Sequence, residues 1–172
     1  MPTDALSVTA ALLFFPASVL AINSVARLVP ADYRRYYNSL RKPPLSPPGW
    51  LFGVVWFLLF ICLGLSAAFV WIKEVPSHSD DVIWMLCLFY AMVCMLPVWT
   101  WLFFSYRMKG VSVLFIVCIF LAGILWYIPF SLASWVSFGL GLPFFVWLIY
   151  ALYLATGVWI LNPDPLDEQD VS

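Results

Sequence analysis

Three tryptophans lie deep in apolar stretches, and each belongs to a stripe of side chains at helical spacing. Phe52, Val55, Trp56 and Leu59 share one helix face, and Trp99, Leu102, Phe103 and Tyr106 share a second. Trp147, Tyr150, Ala151 and Leu154 share a third. Any one stripe is ordinary helix packing. Three of them beside small residues have the makings of a flat, apolar slot. Such a slot suits a planar ring or a sterol, held by dispersion and ring stacking.

Other reactive side chains are few. His78 stands alone in the polar stretch KEVPSHSDD and reads as an exposed loop residue. Cys62, Cys87, Cys94 and Cys118 all fall inside apolar runs and read as small hydrophobes, with no Cys/His cluster to suggest a metal. All nine carboxylates lie in loops or tails, and Arg27 is the one charge inside a candidate span. Ion pumps, proton-coupled transporters and intramembrane hydrolases usually need ionisable groups at depth. Those classes are disfavoured, and no nucleic-acid partner is expected.

The elements that must hold the rings are membrane helices. Of the 172 residues, 65% are hydrophobic and 10% charged, where soluble domains have roughly half and roughly a quarter. So few charges cannot cover so much apolar surface in water. Met1 to Leu6 is too short for a signal n-region, and Asp4 has the wrong sign. Runs able to cross a bilayer of about 30 Å as helix fall near 5–29, 50–72, 82–106, 110–130 and 135–161. The expected fold class is an all-α integral membrane protein, a five-helix transmembrane bundle with an internal cavity. One domain covers 1–162, and the acidic, proline-broken tail 163–172 is expected to be disordered. The short link Ser131–Ser134 makes the last two helices antiparallel neighbours, and Pro30–Gly49 is the one sizeable loop.

Charge sets an orientation. Arg27, Arg34, Arg35, Arg41, Lys42, Arg107 and Lys109 fall on one side and Lys73 alone on the other. By the positive-inside rule the loops after the first and third spans face the cytoplasm, together with the C-terminus. Within the spans, Pro16, Pro97 and Pro143 free the carbonyls of Leu12, Val93 and Gly139 and bend their helices. Bending opens gaps where a ligand can sit. Gly64 with Ala68, and Ala151 with Ala155, form small-xxx-small pairs compatible with helix pairing and with a homodimer.

The order of these motifs resembles the TspO/MBR family, the translocator or tryptophan-rich sensory proteins also called peripheral benzodiazepine receptors. YYNSLRKPPLSPPGWLFGVVW resembles the family's aromatic pair, L-x-K-P, P-P-x-W and V-W. VWTWLFFSYR resembles its W-x-x-L-F-F-x-x-R, and LPFFVWLIYALYLATGVWILN its P-Y-L-x-W…W-x-L-N. The resemblance implies a membrane receptor or carrier for planar apolar ligands: porphyrins, with sterols or benzodiazepine-like drugs as further candidates, and no required cofactor. By position it implies a pocket of Ala26, Val29, Phe52, Gly53, Val55, Trp56, Trp99, Leu102, Tyr106, Trp147, Ala151 and Leu154. An alternative role is light- or oxygen-dependent porphyrin degradation, with Trp56 and Trp147 as its catalytic side chains. A membrane scaffold without a small ligand is a third reading. A eukaryotic member would reside in the mitochondrial outer or secretory membranes, and a bacterial one in the cell envelope. Leu45 replaces a family tryptophan, and Met92 and Leu96 replace a Gln and an Asn, so fewer hydrogen bonds are expected inside. The sterol-recognition pattern of animal members is absent around Thr156, Gly157 and Ile160.

The stretch RKPPLSPPGW then reads as a lid. Pro43 and Pro44 hold it extended, Pro47 or Pro48 begins the next helix, and Ser46 caps that helix. Arg41 and Lys42 stand ready for lipid phosphates or for the propionates of a porphyrin.

Overall fold

The computed structural model describes residues 4–74 and 79–163. The expectations at His78, and for the acidic tail from Asp164 onward, lie outside the described residues. Each of the five apolar runs forms a helix long and apolar enough to cross a membrane. The first, α1 (Ala5–Ser24), runs on as a 3-10 turn, Val25–Leu28. A short helix α2 (Tyr33–Ser39) follows, then α3 (Gly49–Glu74), α4 (Ser79–Phe104), α5 (Lys109–Ala133) and α6 (Trp135–Leu161).

Local chemistry sets the ends. Asp4 caps α1 by accepting from the Ser7 N–H at 3.3 Å. Ser134 is the whole link between α5 and α6. Its N–H bonds the Phe130 carbonyl at 3.0 Å, and its hydroxyl accepts from the Ser137 N–H at 3.4 Å. The expected antiparallel pairing of the last two spans follows from so short a link.

Several boundaries differ from the sequence reading. Helix α2 is an addition to it, because YRRYYNS carries no apolar stripe; its tyrosines find their partners on other helices. The third span stops at Phe104, since Arg107 takes a left-handed backbone conformation (φ 56°) that turns the chain toward α5. The fourth span continues past Phe130 to Ala133 and carries Pro129 inside it. Helix α3 starts at Gly49, with the Leu51 N–H on the Pro48 carbonyl at 2.9 Å. Ser46 is therefore not its cap, and the Ser46 hydroxyl donates instead to the Pro43 carbonyl at 2.7 Å.

Around the bundle, α1 packs on α3, α3 on α6, α6 on α5, α5 on α4, and α4 closes more sparsely on α1. The densest part is the half away from α2. There Trp126 is fully buried among Phe89 (centroids 5.2 Å apart), Phe130 (5.1 Å) and Phe145 (6.2 Å). Ser66 and Ser137 each donate to the other's carbonyl, at 3.1 and 2.9 Å, pinning α3 to α6. Gly64 lies against Pro16, where an added Cβ would stand 2.3 Å from the Pro16 Cα. Pro16 thus marks the tightest helix contact rather than a gap, and Gly64 is used inside the bundle. Helices in lipid gain little from hydrophobicity, so close approach of this kind is what holds them together.

Candidate functional site

The half of the bundle beneath α2 is open. An outer chamber of about 510 Å³ lies between α3, α4 and α6 and under α2. A smaller inner chamber of about 150 Å³ continues between α1, α3, α4, α5 and α6. Trp56, Trp99, Thr100 and Ala151 line both. The larger volume is within the roughly 300–1,000 Å³ of small-molecule sites.

Small residues make the room. Ala151 and Ala155 are one turn apart on α6 and both line the outer chamber, so this small-residue pair faces space, where Gly64 faces a helix. The aromatic residues form walls. Trp99 stacks on Phe103 (5.7 Å, 20° between planes) and fixes its indole by donating Nε1–H to the Ser112 carbonyl at 3.1 Å. Trp147 stands edge-on behind Trp56 (6.5 Å, 89°) and beside Phe52 (5.5 Å, 70°), with its own Nε1 buried and unpartnered.

Of the sequence-predicted residues, the structure brings Phe52, Trp56, Trp99, Ala151 and Leu154 together on the outer chamber, and places Ala26 on the inner one. Trp147 and Val55 sit behind this lining, against the core. Val29 lies in the segment after the 3-10 turn, and Leu102 uses its carbonyl to accept from Met108 at 3.0 Å. Gly53 faces open surroundings, with nothing within 4 Å of where a Cβ would stand. Tyr106 is 65% exposed beyond the end of α4. Of the stripe on that helix, Trp99 and Phe103 line the site, whereas Leu102 does not and Tyr106 lies past the end of α4.

The inner chamber contains residues the stripes did not mark. Ile116 and Ile119 of α5 line it; the tryptophan on that face of α5, Trp126, lies two turns beyond Ile119 in the closed half and does not line the chamber. Asn23 and Thr100 also line it. Asn23 had a signal, a lone amide inside an apolar run. Its Nδ2 donates to the Val19 carbonyl at 2.9 Å, and Thr100 donates to the Leu96 carbonyl at 3.3 Å. With those donors, and that of Trp99, already bonded to backbone, the interior presents chiefly rings and alkyl groups.

The mouth is built differently. Helix α2 lies across it by ring contacts: Tyr33 and Tyr37 on Phe104 (5.8 and 6.2 Å), Tyr36 on Phe103 (6.3 Å), and Tyr37 on Phe52 (6.4 Å). Arg107 adds an exposed ion pair to Asp32 at 2.8 Å and lies 4.8 Å over the Tyr36 ring. Burial, with Tyr150 nearby, pushes the Tyr37 hydroxyl up from its usual range, so it remains neutral.

The proline segment is strapped down along α6. Asn162 accepts from the Arg41 N–H at 2.9 Å and donates to the Arg41 carbonyl at 2.8 Å. The Pro43 ring fills the place of a side chain at Gly157, 2.6 Å from where a Cβ would stand. Tyr153 donates to the Pro44 carbonyl at 3.0 Å and Tyr150 to the Leu45 carbonyl at 2.6 Å. The segment is not extended throughout, because it turns at Pro44–Leu45 with Leu45 at φ 64°. Proline followed by a positive-φ residue is the pattern of a type II turn, where glycine is the easy choice and leucine is strained. Pro47 and Pro48 then lead into α3. The Lys42 ammonium sits 4.4 Å over the Tyr37 ring and ties the strap to α2.

A model of the TspO/MBR family matches residues 10–160. A protein named CrtK from Rhodobacter capsulatus is 30% identical over 128 residues, covering 74% of this chain and 79% of that protein. The human translocator protein is 27% identical over 138 residues, covering 78% and 79%. A tryptophan-rich protein TspO from Bacillus cereus is 28% identical over 151 residues, covering 87% and 93%.

Proposed function

This chain belongs to the TspO/MBR family of membrane proteins, and from that premise we propose that it is a receptor or carrier for a planar apolar ligand of the porphyrin type. The observation that carries the reading is the continuous pair of chambers walled by Trp56 and Trp99 and widened by Ala151. A flat ring system gains dispersion and edge or face contacts against such walls, and the interior asks for few hydrogen bonds. Sterols and benzodiazepine-like molecules are alternative occupants of the same space. Lipid surrounds the bundle, and the strap end faces the cytoplasm by its excess of cations.

The test is a titration of the detergent-solubilised protein with protoporphyrin IX in the dark, followed by tryptophan fluorescence. Saturable quenching that weakens about fivefold or more in Trp99→Ala supports the reading, since one ring stack is worth roughly 1–3 kcal/mol. No saturable quenching would remove porphyrins from consideration and leave a sterol or another lipid as the ligand class. Illuminating the same complex separates a carrier from a degrading enzyme. Loss of porphyrin absorbance that disappears in Trp56→Phe with binding intact would assign the enzymatic role.

A further inference from the structure

The cations at the mouth are not equivalent. Arg107 is paired with Asp32, and Lys42 sits over the Tyr37 ring. Arg41 is tied through its backbone to Asn162. Arg34 alone among the arginines and lysines lines the outer chamber, where it stands on α2 beside Asn38. Its contacts are with Tyr33, not with a carboxylate. Nε donates to the Tyr33 hydroxyl at 3.0 Å, and the guanidinium carbon lies 5.7 Å from that ring's centre. One Nε contact fixes the direction of the plane and leaves the two terminal nitrogens as a fork. A guanidinium fork matches the two oxygens of a carboxylate better than any other side chain does.

The chamber is therefore graded along its length. Inside are chiefly rings and alkyl groups, and the donors of Asn23, Trp99 and Thr100 are already spent on backbone carbonyls. At the rim is a guanidinium with no carboxylate partner among the described residues, beside an amide. A neutral ligand would leave that rim unused, whereas a ligand with an apolar body and an acidic edge matches both ends.

Resting on the cavity reading above, we propose that Arg34 is the specificity-determining residue for an acidic group, so that this protein selects amphipathic carboxylates over their neutral counterparts. The ligand sits with its apolar plane against Trp56 and Trp99 and its carboxylate at the α2 rim. Arg34 acts by binding alone, and no bond is made or broken.

The experiment compares protoporphyrin IX with its dimethyl ester, which has the same ring and no acid, on the full chain in detergent. Wild type is expected to bind the diacid several-fold more tightly than the diester, with about fivefold the upper end for a charge pair at an exposed guanidinium such as that of Arg34. Arg34→Gln is expected to bring the diacid down to the diester's affinity and leave the diester unchanged. Arg34→Lys keeps the charge without the fork and should fall between. Arg35→Gln, a neighbouring exposed cation outside the lining, should change neither ligand. The preference should also weaken as salt rises. Loss of both ligands equally in Arg34→Gln, or an equal effect from Arg35→Gln, would overturn the assignment while leaving the cavity as a binding site. Saturation by neither ligand in wild type would overturn the cavity reading and this one with it.

Discussion

In the closed half of the bundle a glycine meets the backbone of a proline; in the open half an alanine faces a void. Gly64 and Ala151 both begin small-xxx-small pairs, and both are followed by an alanine four residues on. What stands opposite decides their roles. Across from Gly64 is Pro16, so close that a methyl group has no place. Across from Ala151 are the two chambers. The tryptophans divide in the same way: Trp126 is fully enclosed by aromatic rings, while Trp99 has one face on Phe103 and one edge on open volume. Close contact in one half supplies the rigidity that lets the other half remain open.

The strongest test of this contrast compares two glycines on one helix. Gly64→Ala pushes a carbon into the α1 backbone, which cannot give as a flexible side chain would. We expect a loss of about 3 kcal/mol or more, the upper range for overpacking, read as a lower unfolding temperature or aggregation in detergent. Gly53→Ala, with nothing within 4 Å of the new carbon, should be neutral or up to about 1 kcal/mol stabilising, as alanine is the better helix former. Equal behaviour of the two would mean that the α1–α3 contact does not hold the closed half together.

Ala151→Leu sharpens the contrast from the other side. Ala151 lines both chambers, so a larger side chain has room to enter. Stability should move by less than about 1 kcal/mol, while porphyrin quenching should weaken at least tenfold. A folded, monodisperse Ala151→Leu protein with unchanged affinity would place the ligand elsewhere.

Much of this fold could be read along the chain, and the reasons are physical. The five spans follow from apolar length, since lipid requires every backbone group to be bonded within the segment. The antiparallel pairing of the last two helices and the last span at Trp135–Leu161 follow from the shortness of the polar interruption, although the expected link Ser131–Ser134 shrinks to Ser134 alone as α5 runs on to Ala133. What could not be read depends on partners far away in sequence. Nothing in YRRYYNS says that its rings land on Phe103, Phe104 and Phe52. Arg34 looks like one more positive-inside anchor until α2 carries it to the chamber rim. Ile116 and Ile119 are indistinguishable from any lipid-facing isoleucine, and Tyr106 continues a stripe whose helix has already stopped at Phe104.

The mouth repeats the contrast on a smaller scale. The strap is held through its backbone: Asn162 brackets Arg41, two tyrosines bond the carbonyls of Pro44 and Leu45, and Pro43 rests over Gly157. Helix α2 is held by ring edges and by an ion pair whose side chains are 52% and 51% exposed. Backbone-directed bonds of the first kind are worth about 1 kcal/mol each, and an exposed pair of the second kind roughly 0–1 kcal/mol, less in salt. Asn162→Ala removes both bonds to Arg41 at once, so the strap should lift and tryptic cleavage after Arg41 should accelerate several-fold with little change in global stability. Asp32→Asn should leave that cleavage rate unchanged and alter the unfolding temperature only slightly, most at low salt. If Asp32→Asn exposed Arg41 as readily as Asn162→Ala, strap and α2 would move as one piece, and Lys42 over Tyr37 would be the joint that couples them. If only Asn162→Ala does so, the strap is an independent wall, and α2 with its Arg34 is the part of the mouth free to adjust around a ligand.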